Sequence, residues 1–104
     1  MKRSFRRSLL VISAFWVVAM VARAADRPTR GLEIFWIDSE GGGSTLILTP
    51  AGESVLIDTG NPGGRDSGRI VAAARAAGIK QIDHLIVTHF HGDHFGGAAE
   101  VAQA

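Results

Sequence analysis

The apolar run Leu85-Ile86-Val87 stops just short of His89-Phe90-His91-Gly92-Asp93-His94, and this junction constrains the chain more than any other feature. Three consecutive large aliphatic residues fit a strand buried on both faces. Four side chains able to ligate a metal follow within six residues, so the strand must end where they are free to converge. Phe95-Gly96-Gly97 then opens a helix predicted from Ala98 onward. Strand, ligand loop and helix in that order put the cluster at the carboxyl end of a central strand, where open α/β sheets bind their ligands.

Upstream, Leu32 to Asp38 is rich in aromatic and β-branched residues, with Leu32, Ile34 and Trp36 on one face, and reads as a first strand. Ser44 to Thr49 is a second, closed through Pro50-Ala51-Gly52 as a hairpin onto a third at Ser54 to Asp58. The glycine run Gly41-Gly42-Gly43 between the first two reads as a flexible loop, with an anion-binding nest as the alternative. Asp66 or Ser67 is expected to cap a helix running to about Ala77, its apolar stripe being Ile70, Val71, Ala74 and Ala77 and its stop Gly78. The order of elements is that of an α/β domain. No internal repeat interrupts it.

Residues 1 to 24 have the three-part form of a secretory signal: Lys2, Arg3, Arg6 and Arg7, an apolar run from Leu9 to Val21, and Ala22-Arg23-Ala24 as the cleavage site. That run is shorter than the roughly 18 to 20 residues needed to cross a bilayer, so cleavage after Ala24 would leave no stable membrane span. Arg6-Arg7-Ser8-Leu9-Leu10 also resembles a twin-arginine signal, and both that route and the general export machinery stay open. A periplasmic or secreted protein is the expectation. Residues 25–31 read as a short lead-in, and residues 32–104 as the folded domain.

Beyond the leader, six basic residues face ten acidic ones, a net charge of about −4 that gives no signal for nucleic-acid binding. There is no cysteine, so any metal must be held by imidazole and carboxylate. That donor set points to Zn²⁺, with iron or manganese as alternatives. In an extended loop His89 and His91 lie on one side and can share an ion, while Asp93 and His94, past the turn at Gly92, can face a second. His84 lies outside this cluster and reads as a packing or surface residue.

The segment resembles the signature His-x-His-x-Asp-His of the metallo-β-lactamase superfamily, complete at His89, His91, Asp93 and His94. The resemblance implies that His89 and His91 bind a first metal and Asp93 and His94 a second, with Asp93 also orienting the nucleophile. Leu56-Ile57-Asp58-Thr59-Gly60 looks like the family's first motif, in which the aspartate braces the ligand loop without touching metal. Phe35 to Ser44 is similar to the opening of the competence-type branch, although Gly41-Gly42-Gly43-Ser44 lacks that branch's acid. The implied fold is the N-terminal half of an αββα sandwich, about 80 residues where the superfamily takes on the order of 200, and such a half-domain would be marginal alone.

Two dications could share a hydroxide, because metal binding lowers the pKa of water to about 7. Such a centre would hydrolyse a phosphodiester, a lactam or lactone, or a thioester, and fold alone does not choose among these. Four side chains are too few to complete two coordination shells. A fragment of this kind would therefore be inactive alone, and the alternative function is a non-catalytic periplasmic metal-binding or interaction fragment with an incomplete site.

Overall fold

A computed structural model describes residues 30–104 of the chain. The leader read in residues 1–24 and most of the lead-in fall outside the described residues. Four strands form one sheet in the order β1 (Glu33–Trp36), β2 (Thr45–Leu48), β3 (Ser54–Ile57) and β4 (His84–Ile86). The first three make the antiparallel meander expected from their alternation, and β4 pairs parallel to β3 after a helical crossover. That crossover contains α1 (Arg65–Ala76), and two short helices, α2 (Gly92–Phe95) and α3 (Ala98–Gln103), follow β4. The result is a mixed α/β fold. Among the described residues no helix is long and apolar enough to cross a membrane.

Register decides which side chains share a face. Phe35, Leu46, Leu56 and Leu85 are successive cross-strand partners, and α1 lies over this side, where Leu46, Leu56 and Ile70 form the buried core. Phe35, Ile37, Ala73, Ala74, Ile79, Ile82 and Val101 pack around it. The opposite face carries Ile34, Ile47, Val55 and His84 in one row and Trp36, Thr45, Ile57 and Ile86 in the next. It is largely apolar too, yet Trp36 is 82% exposed. The face that alternation assigned to Leu32, Ile34 and Trp36 is thus the open one.

Among the described residues β4, expected from the sequence to be a central strand, lies at the edge of the four-stranded sheet with all three of its residues exposed. An apolar run records what a strand is able to bury, and burial also needs a partner on each face. Neither Asp66 nor Ser67 caps α1: the N-cap position is Gly64, in a left-handed conformation and without a side-chain cap. The exposed amide groups are met from a distance instead. Glu100 of α3 accepts hydrogen bonds from the Gly63 and Gly64 N–H groups at 2.8 and 3.0 Å and from the Ser67 hydroxyl at 2.7 Å. These bonds hold the Glu100 carboxyl below its ordinary pKa, that from Ser67 contributing most.

Candidate metal centre

The chain turns out of β3 through Asp58, whose φ of 59° lies in the left-handed region. Aspartate tolerates this conformation better than bulkier residues. The turn points the Asp58 carboxylate across the end of the sheet toward the segment that leaves β4. There Oδ1 accepts the Thr88 N–H at 2.8 Å, and Oδ2 accepts the Thr88 hydroxyl at 2.6 Å. Oδ2 also meets Nδ1 of His94 at 2.8 Å. Burial alone would raise the Asp58 carboxyl pKa, but the hydrogen bonds from Thr88 and His94 outweigh it and hold the group below its ordinary value.

The ligand segment itself has two parts. His89 and His91 lie on exposed, extended chain, His91 being the N-cap of α2 with φ −81° and ψ 144°. Asp93 and His94 sit within the single turn of α2, where the His94 N–H donates to the His91 carbonyl at 2.9 Å. The helical turn brings the three rings together, with the His89 centroid 4.6 Å from that of His91 and 4.1 Å from that of His94. Oδ2 of Asp93 lies 3.9 Å from Nε2 of His94. His84 stands apart, at the far end of β4 in register with Val55.

Among the described residues no three carboxylate or imidazole side chains already aim at one point in metal-binding geometry. The chemistry of the donors nevertheless fits a metal. A neutral imidazole that gives its Nδ1 proton to a carboxylate presents an unprotonated Nε2, the arrangement that fixes the tautomer of metal-ligating histidines. At His94 that Nε2 is on the side of Asp93. Thr88 Oγ1 similarly contacts Nδ1 of His89 at 3.0 Å.

Sequence reasoning singled out Asp58 as a brace but passed over the residues that share its task. Thr88 takes both carboxylate oxygens of Asp58, and its hydroxyl immediately before His89 was the one local signal available. Thr59 is fully buried and its N–H donates to the His94 carbonyl at 2.6 Å. The glycine run read as a flexible loop is packed: the Gly43 N–H donates to the Asp93 carbonyl at 3.1 Å, and the Gly43 carbonyl accepts the Gly60 N–H at 2.9 Å. Behind these, buried Asp66 accepts from the Asn61 N–H and side-chain amide at 2.8 and 3.1 Å. Asn61 in turn donates to the Ser39 carbonyl at 3.0 Å. The Arg65 guanidinium at 2.7 Å, reinforced by Asn61, holds the Asp66 carboxyl down at about 2.

The family model for the metallo-beta-lactamase superfamily matches residues 38–104. A UPF0173 metal-dependent hydrolase of Polynucleobacter asymbioticus is 36% identical over 96 residues, covering 92% of this chain and 32% of that protein. A second, from Pyrococcus horikoshii, is 39% identical over 64 residues, covering 59% of this chain and 25% of its own length. The competence protein ComA of Neisseria gonorrhoeae is 33% identical over 63 residues, covering 61% of this chain and 9% of ComA. The chain thus spans a third or less of the length of these relatives. No solved structure matches it. With a mixed α/β sheet whose ligand loop carries His89, His91, Asp93 and His94, and with a family model covering that loop, the chain belongs to the metallo-β-lactamase superfamily.

Proposed function

We propose that this chain carries the first ligand segment of an exported, metal-dependent hydrolase. The observation that carries the reading is the Asp58–His94 contact of 2.8 Å, which commits Nδ1 and leaves Nε2 facing Asp93. In this reading His89 and His91 hold one ion and Asp93 and His94 another, zinc in each case. When bound, such ions supply Lewis acidity and make water acidic enough to act as a nucleophile near neutral pH. The protein's own residues do the rest. Asp58, Thr88 and Thr59 fix the ligand loop, and Asp93, about 44% exposed at its side chain, orients the attacking water.

The electrophile we assign is a phosphodiester, a lactam or lactone, or a thioester. Two features support hydrolysis as the reaction class: the imidazole and carboxylate donor set, and relatives named as metal-dependent hydrolases. Export is supported by the signal-like residues 1 to 24. Four donor side chains fall short of two complete shells, so further ligands come from other residues or from solvent.

The test is hydrolysis of one substrate from each class by the full-length protein, with and without chelator, beside His91→Ala. Turnover of one class that chelator abolishes, and that His91→Ala loses while its circular dichroism is unchanged, is the expected result. The alternative reading is a non-catalytic metal-binding fragment. Zinc binding with no turnover of any class would favour it.

A further inference from the structure

The two halves of the ligand segment are held in different ways. The His89–His91 half is exposed; His89 Nδ1 meets Thr88 Oγ1, and the His89 ring lies against those of His91 and His94. The Asp93–His94 half is gripped by backbone from two other segments. Thr59 donates to the His94 carbonyl, Gly43 donates to the Asp93 carbonyl, and Gly60, just past β3, forms an isolated parallel bridge with Phe95.

The approach of the β1–β2 turn to this half leaves no room for a side chain. A Cβ placed on Gly42 would overlap the Asp93 carbonyl oxygen and stand 3.0 Å from its carbon. One placed on Gly43 would stand 2.7 Å from Nδ1 of His94, 2.9 Å from Cε1 and 3.1 Å from Oδ2 of Asp58. Neither glycine has a positive φ, whereas Gly41 beside them does, at 90°. Gly42 and Gly43 are therefore required for space and not for backbone conformation. Contacts below about 3 Å against a backbone carbonyl or an imidazole ring are relieved only by moving the group struck.

We propose that Gly42 and Gly43 are positioning residues for the Asp93–His94 half of the metal site, setting its carbonyl and ring through contacts that they do not make with His91. The turn acts as a template pressed against the helical turn of α2, tied to it through the Gly43 N–H and tied to the β3 exit through the Gly43 carbonyl. This inference rests on the metal-site reading above.

Gly42→Ala in the full-length protein is the direct test, with Gly43→Ala as the second variant. Gly52→Ala is the control, because Gly52 has a φ of 90° with no atom near its missing Cβ and sits in the hairpin away from the site. Two readouts are needed: Zn²⁺ affinity by competition with a chromophoric chelator, and the ring-nitrogen NMR signals of His94 in metal-free protein. Displacing a group that orients a ligand weakens metal binding about 10- to 100-fold. We expect a loss of that size in both site variants, with the His94 signals shifted and those of His91 unmoved. Gly52→Ala should lower the melting temperature while leaving both readouts at wild-type values.

Wild-type protein that binds no Zn²⁺ would refute the metal-site reading itself. Wild-type binding together with unchanged affinity and unchanged His94 signals in Gly42→Ala would overturn the role of the turn alone. If both site variants unfolded, the turn would belong to general stability and the positioning role would equally be overturned.

Discussion

One face of the sheet seals Leu46 and Leu56 beneath α1 at 0% exposure, while the other leaves Ile34 at 46% and Trp36 at 82%. The two faces are drawn from the same alternating strands, and both are largely apolar. What separates them is cover, and the site depends on the covered side. Asp58, Thr59 and Asp66 are all buried, and their hydrogen bonds fasten the ligand loop and the start of α1 where water competes least. His89 and His91 project from exposed chain. The molecule thus builds a hydrogen-bonded seat on one side and leaves His89 and His91 accessible.

The contrast can be broken most forcefully at Leu56. Leu56→Ala removes a fully buried side chain from the core and is expected to cost about 3 kcal/mol in urea unfolding, within the usual range of 2 to 5. A loss below about 1 kcal/mol would mean that the covered face is no better packed than the open one.

A smaller effect should appear at acid pH through Asp66. Its folded-state carboxyl, at about 2, lies below the ordinary 3.8. Its contribution is therefore fully present above the ordinary value, declines as pH falls below it and is lost on passing through about 2. Asp66→Asn should flatten the fall of unfolding free energy between pH 5 and pH 2. Parallel wild-type and variant curves would contradict the assignment.

The smallest change belongs to the open face. Trp36→Ser removes a large ring that is mostly in water already, and stability should move by no more than about 0.5 kcal/mol. A loss several times larger would show that in solution this face is covered.

Much of the fold was legible because it is written in short-range pattern. The alternation in Leu32 to Asp38, Ser44 to Thr49 and Ser54 to Asp58 gave the meander, and the stripe through Ile70 and Ala74 gave α1 with its end at Gly78. The four donors of the ligand loop stood together in the chain. What escaped was set by contacts between distant segments. Nothing around Gly42 announces that Asp93, fifty-one residues later, will lie against it. Glu100 satisfies amide groups 36 and 37 positions earlier, which displaced the expected Asp66 or Ser67 cap. The exposure of β4 is a statement about its neighbours and not about Leu85-Ile86-Val87.

The bond between the Asp58 carboxylate and the Thr88 N–H spans 30 residues of chain. It closes only when the whole crossover through α1 has returned to lay β4 along β3, a non-local step that carries loop-closure entropy and is slow to form. Before that step His89, His91 and His94 are present in the chain, but His94 lacks its Asp58 partner on Nδ1. On the proposed metal reading, an ion added early in folding would meet the ligand loop before Asp58 braces it, and its uptake would report that the crossover has shut.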